Sequence, residues 1–278
     1  MGIEHEFIHF QTSISLIRQV PCHLISPPTG WESGSLEISS LPHNEWLSFS
    51  GGPVTLGREK NDCEYFGWDN EYGQVNLDVM PFKVRKYPIT NREFLDFILD
   101  NGYETSEFWQ TQEVDVWFSE MQPKYPAAWI HKGGHNYKYR AIFSETDMPW
   151  DAPVEVNKHE AAAYAIWSGA RLINEKEYHY LFQQDFVSEK HFAQARKHLN
   201  INLRYCNTLP VYYCAPYLES TVTGVDLVGN VARWIDGDFK PYQTMHLALT
   251  LYMKSFPTHG FVVTIASCSE QVLLLWGI

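Results

Sequence analysis

His5 and His9 stand four residues apart in the opening run MGIEHEFIHFQTSISLIRQ. Positions i and i+4 share one face of a helix, so two imidazoles at this spacing can reach a single metal ion. Taken bare, such a pair is more often a coincidence on a polar face than a metal site. The cysteines offer nothing as well defined. Cys22, Cys63, Cys206, Cys214 and Cys268 are odd in number and scattered, with no CxxC pair, which argues against a disulfide framework or a zinc ribbon. Cys206 and Cys214 have no neighbouring His or Lys to lower a thiol pKa, so a nucleophile with its resolver is not indicated. His131, His135 and His159 sit in loop and helix contexts where a surface role is the default.

The element that must carry the histidine pair is a helix over residues 3–20. Ile3, Phe7, Phe10, Ile14 and Ile17 recur at spacings of three and four, and Pro21 ends the pattern. Such a helix has one apolar stripe to bury. The stretch that follows, 22–44, is rich in Pro, Gly and Ser and reads as a linker. The stripe's partner helices are therefore expected outside this chain.

From Trp46 to Trp117 short mixed runs such as PVTLG and VNLDVMPFKV predict strands separated by turns. Two helices stand out. PITNREFLDFILDNG has Thr90 as N-cap, Glu93 three residues on and Gly102 beyond its end. NKHEAAAYAIWSG has Asn157, Glu160 and Gly169 in the same roles. The remainder is aromatic and Gly-rich, which predicts an α+β fold with much irregular structure rather than a doubly wound sheet.

The totals support a packed domain and narrow its partners. Of 278 residues 45% are hydrophobic and 15% aromatic, enough for a substantial core. A net charge of −12 with no dense Lys/Arg stretch argues against nucleic acid. No apolar run approaches the roughly 20 residues needed to span a bilayer, and the N-terminus does not read as a secretory signal. A reduced, cytoplasmic setting is expected.

Four stretches in order, GGPVTLG, FGWDNEYGQVNLDVMPFKVRKYPITNREFLDFILDNGYE, PVEVNKHEAAAYAIWSGARLINEKEYHYL and GVDLVGNVARW, resemble the formylglycine-generating-enzyme-like (sulfatase-modifying-factor) domain, over about residues 45–240. That family has a C-type-lectin-like fold. Within it, HEFIHFQTSISLIRQVP resembles the last helix of the four-helix bundle that precedes the domain in nonhaem iron sulfoxide synthases of ovothiol and ergothioneine biosynthesis. NGYE followed by FW, and NINL at 200–203, are closer to the ovothiol type. The resemblance implies oxygen-dependent joining of cysteine to the histidine imidazole at an Fe(II) held by three histidines, two of them His5 and His9. It implies a remnant metal-binding helix at 1–21, the domain at 45–245 and a divergent tail at 246–278.

The departures are specific. The family's third histidine lies on the first bundle helix, upstream of this chain, so the resemblance makes the chain a truncated relative whose missing helices a second chain could supply. Gln11 stands where the motif has Glu. GNVARW places Ala232 and Arg233 where the family has Trp and Glu, and the family's later motifs are not found after Trp234, which suggests a shifted frame, another exon or decay. By its distance from that motif the resemblance offers Tyr252 in LYMKSF as the synthases' active-site tyrosine, while taken bare such a tyrosine is more often a core or surface residue. Arg171, Glu175 and Glu177 match positions that read as structural ion pairing, and Asp69, Asn70 and Glu71 as a capping turn. The competing function is a non-catalytic module of the same family. Formylglycine generation would need a reactive cysteine pair that cannot be placed here.

Overall fold

A computed structural model describes residues 2–30, 43–59, 71–109, 112–185, 197–201, 204–205, 207–213 and 227–237. Helices and antiparallel sheets mix in an α+β arrangement. The elements run α1 (Gly2–Ile17), β1 (Trp46–Phe49), β2 (Gly52–Leu56), β3 (Val75–Val79), β4 (Phe82–Arg85), α2 (Asn91–Leu99), α3 (Gln112–Met121), β5 (Trp129–His131), β6 (Tyr137–Arg140), β7 (Glu145–Asp147), α4 (Lys158–Trp167) and α5 (Glu175–Asp185). None of these helices is long and apolar enough to cross a membrane.

The expected strands form two pairs, β1 with β4 and β2 with β3, and a third sheet runs β5-β6-β7. Leu56 faces Val75 and Gly52 faces Val79 across the β2–β3 pair. At Gly51 the chain takes φ +73, and a Cβ there would meet the Val79 carbonyl oxygen at 2.0 Å. Only glycine permits both the backbone and that approach. The Gly51 carbonyl in turn accepts from the Tyr180 hydroxyl at 3.1 Å. This ties α5 to the sheets, where Phe49, Val54, Leu56, Val79, Tyr178 and Leu181 form one apolar cluster.

Both expected helix starts are reciprocal caps. The Thr90 hydroxyl accepts from the Glu93 N–H while the Glu93 carboxylate accepts from the Thr90 N–H; Asn157 and Glu160 repeat the arrangement, each satisfying donors a helix otherwise leaves open. α2 and α4 then meet through Phe94 and Tyr164, stacked at 5.4 Å between ring centroids. Asn91, fully buried, donates to the Pro149 carbonyl at 2.9 Å and accepts from the Trp129 indole at 3.0 Å.

Two helices were not expected. α3 falls at the end of the strand-like stretch. α5 is too polar on its face to show a clear apolar period, yet it opens on a third reciprocal cap, between Asn174 and Glu177. The opening helix is shorter than expected, ending at Ile17 with a tight turn to Val20. The C-terminal part of its stripe is covered: Ile14 is 3% exposed and packs on Ile142, beside Ile17 and Phe143, while Phe10 is 44% exposed. The cover comes from the β6–β7 loop of this same chain.

Candidate functional site

α1 carries His5 and His9 on consecutive turns, about 6 Å apart along the axis. Thr12 and Ser13 donate their hydroxyls to the His9 carbonyl at 3.0 and 2.7 Å, and the His9 side chain is exposed. The side chains of His5 and Gln11 lie outside the described residues. At about 100° per residue, His9 stands about 140° round the helix from buried Ile14, and the His5 position about 180°. The face bearing the pair is therefore not the face that α1 lays on the domain. Two imidazoles suit Fe(II) in donor chemistry, but among the described residues no group of three His, Cys, Asp or Glu is arranged to hold a metal.

The end of α1 is held by charge. Arg18, just past the helix, donates from Nε and Nη2 to the Arg140 carbonyl at 3.1 and 2.7 Å and pairs with Glu155 through Nη1. Arg140, at the end of β6, donates back from Nη2 to the carbonyls of Val20 at 2.6 Å and Ile17 at 3.5 Å. The Ile17 carbonyl also closes the turn by accepting from the Val20 N–H at 3.0 Å, so Arg140 binds the turn that ends α1, where a cation also meets the negative end of the helix dipole. Glu155 accepts from the Tyr139 hydroxyl as well, and the Arg18 guanidinium lies 5.4 Å from the Tyr139 ring centre. Burial opposes the charge on Arg18, but Glu155 and Tyr139 outweigh it and hold its pKa above the usual range. Burial, then the neighbouring Glu155, pushes the Tyr139 phenol up.

A cavity of about 20 Å³ lies in this contact, lined by Ser15, Arg18, Tyr139, Glu155, Asn207 and Thr208 among others. That is room for roughly one water. Thr208 is 4% exposed and its hydroxyl makes no hydrogen bond of good geometry among the described residues, though it lies near enough to the Tyr139 phenol to oppose its upward shift. Sequence reasoning missed Arg18, Arg140, Glu155 and Thr208. The only local signal was a basic residue just past the end of a helix.

The remaining candidates divide cleanly. Arg171 donates to both oxygens of Glu177 at 2.8 and 2.5 Å, the ion pairing expected of them, while Glu175 sits in the first turn of α5. Glu71 is buried 3.9 Å from Arg58; Asp69 and Asn70 lie outside the described residues, as do Cys206, Cys214 and Tyr252. His131 and His135 are exposed; His159 is half-buried, 5.8 Å from the Trp117 ring. In GNVARW, Asn230 at φ 62 accepts from the Leu209 N–H at 2.8 Å, donates to the Leu209 carbonyl at 2.9 Å and accepts from Asn200 at 3.0 Å. Trp234 donates to the Val156 carbonyl at 2.8 Å. These residues of the motif tie loops together.

Residues 37–273 match the family described as the sulfatase-modifying factor enzyme 1-like domain, a range that takes in most of the last thirty residues. The chain is 37% identical over 111 residues to hercynine oxygenase of Mycobacterium tuberculosis, covering 40% of this chain and 25% of that protein. It is 23% identical over 196 residues to ergothioneine biosynthesis protein 1 of Neurospora crassa, covering 62% and 22%. It is 30% identical over 142 residues to the formylglycine-generating enzyme of Thermomonospora curvata, covering 48% and 46%. The chain thus spans about a quarter of the length of the first two relatives.

Proposed function

Because this chain belongs to the sulfatase-modifying factor enzyme 1-like family, we propose that it is part of an iron(II)- and oxygen-dependent sulfoxide synthase. It would join the sulfur of cysteine, or of a cysteine-containing thiol, to the imidazole of histidine or of its betaine, hercynine. The reading is supported by relatives named hercynine oxygenase and ergothioneine biosynthesis protein. The observation that carries it is the attachment of the histidine-bearing helix to the family domain through Arg18, Glu155 and Arg140.

In this reading α1 is the last helix of a four-helix bundle, and the family domain, lectin-like in architecture, fixes it in place. His5 and His9 would hold Fe(II), which when bound supplies oxygen activation. A third ligand comes from beyond the described residues, on the open face of α1, from more of the same polypeptide or from a second chain. Tyr252 would hold or give a proton at its phenol oxygen. The overall change balances as thiol plus imidazole C–H plus O2 giving sulfoxide plus water. One oxygen atom goes to sulfur and the other leaves with the thiol and ring hydrogens.

Incubation with Fe(II), oxygen, cysteine and either histidine or hercynine, followed by mass analysis, tests this. The expected product has the mass of both substrates plus one oxygen minus two hydrogens. Absence of that mass with either imidazole, when supplied bundle helices complete the site, would return the chain to a non-catalytic role.

A further inference from the structure

We propose that Arg18, Arg140 and Glu155 form a clasp that sets the rotation and axial position of α1, and so act as positioning residues for His5 and His9. The second half of this inference rests on the metal reading above; the first does not. Its basis is reciprocity. Each arginine donates to backbone near the other: Arg18 to the Arg140 carbonyl, Arg140 to the Val20 and Ile17 carbonyls. Backbone carbonyls cannot swing as side chains do, so this pairing specifies an orientation as well as a contact. Glu155, whose side chain is 12% exposed, neutralises one of the two cations, and Tyr139, fully buried, fixes that carboxylate from the other side.

Apolar contact alone would not define the position. Ile14 is the one fully buried side chain among the described residues of α1, whereas Phe10 and Leu16 are 44% and 61% exposed. An isolated helix of this length is marginal in water, so what holds its end decides whether it is held at all. The clasp also acts with a long lever. His9 is nine residues from Arg18, about 14 Å along the axis, so a tilt of about 10° at the clasp moves it by roughly 2 Å, as far as a metal–nitrogen bond is long.

The test is Arg140→Met, which keeps an unbranched apolar stem and removes the donors, with Arg140→Lys as the conservative partner. Two readouts are taken on the intact chain: amide hydrogen exchange along residues 6–17 against α2 and α4, and, with bundle helices supplied to complete the site, binding of Co(II) read from its visible absorption. Arg140→Met is expected to speed α1 exchange roughly tenfold or more while α2 and α4 keep their protection. It should weaken Co(II) binding in parallel, with Arg140→Lys recovering part of both. If Arg140→Met also loosens α2 and α4, Arg18→Met probes the clasp from the helix side and carries the same expectation. Unchanged α1 exchange in both variants overturns the clasp. If α1 exchange responds but the unaltered chain binds no Co(II), the clasp stands and the metal reading falls; if Co(II) binds but exchange never responds, the reverse holds.

Discussion

The Tyr103 hydroxyl donates a 2.6 Å hydrogen bond to Oε1 of Glu160 in a place where both side chains are buried. The other carboxylate oxygen caps α4 by accepting from the Asn157 N–H at 2.8 Å. One acidic group thus joins the start of α4 to the loop after α2.

Burial pushes Glu160 up to about 7 from 4.5, against the hydrogen bonds from Tyr103 and Asn157 that favour its ionised form. The folded state therefore holds this proton more tightly than the unfolded chain does. Stability from this group is full below about 4.5 and is lost as pH rises through about 7. Glu160→Gln keeps an acceptor for the Asn157 N–H and cannot ionise. Urea unfolding at pH 5 and pH 8 is expected to show the native protein losing stability on the order of a few kcal/mol between them and the variant losing markedly less.

Asn230 concentrates three buried hydrogen bonds on Leu209 and Asn200 while holding a left-handed backbone at φ 62. Asn230→Ala leaves those groups without partners and puts a less tolerant residue at that φ. A loss of about 3 kcal/mol or more is expected in denaturant unfolding. A loss below about 1 kcal/mol would mean that the loops are joined by something else.

Thr208 is the opposite case. Its hydroxyl is buried at the 20 Å³ cavity without a hydrogen bond of good geometry among the described residues, and Thr208→Val keeps the shape while removing the polar atom. Thermal unfolding should show no loss, or a gain of up to about 1 kcal/mol. A clear loss would mean that a water in the cavity, or Tyr139, is bonded to the hydroxyl.

Arg171 and Glu177 pair closely but differ in exposure, 58% against 6% for their side chains. Removing the exposed partner loses little, under about 1 kcal/mol. Glu177→Ala also removes the acceptor for the Asn174 N–H at the start of α5 and leaves Arg171 without its carboxylate, so about 2 kcal/mol is expected. Equal effects in matched urea titrations would contradict the assignment of the cap to Glu177.

Local signals were legible in the sequence and long-range ones were not. Thr90 with Glu93, and Asn157 with Glu160, announce helix starts because the capping geometry is set by a fixed spacing. Asn174 with Glu177 has the same spacing but opens a helix whose run EKEYHYLFQQD shows little apolar contrast, so the period gave no support. The His5–His9 pair was visible for the same local reason. What seats its helix was not: Arg18 meets the Arg140 carbonyl 122 residues away and Glu155 137 residues away, and no spacing rule reaches that far. The same gap hid the part of the α1 stripe that this chain covers itself, Ile14 and Ile17 against Ile142 and Phe143; Phe10 is 44% exposed, and partner helices for the rest of the stripe stay an expectation.

Whether α1 is a metal-bearing helix is measured directly by anaerobic equilibrium binding of Fe(II). With bundle helices supplied to complete the site, about one equivalent should bind, and the His5→Ala, His9→Ala double variant should lose that binding while keeping its folded circular dichroism. Equal Fe(II) binding by the two proteins, or none by either, would contradict it.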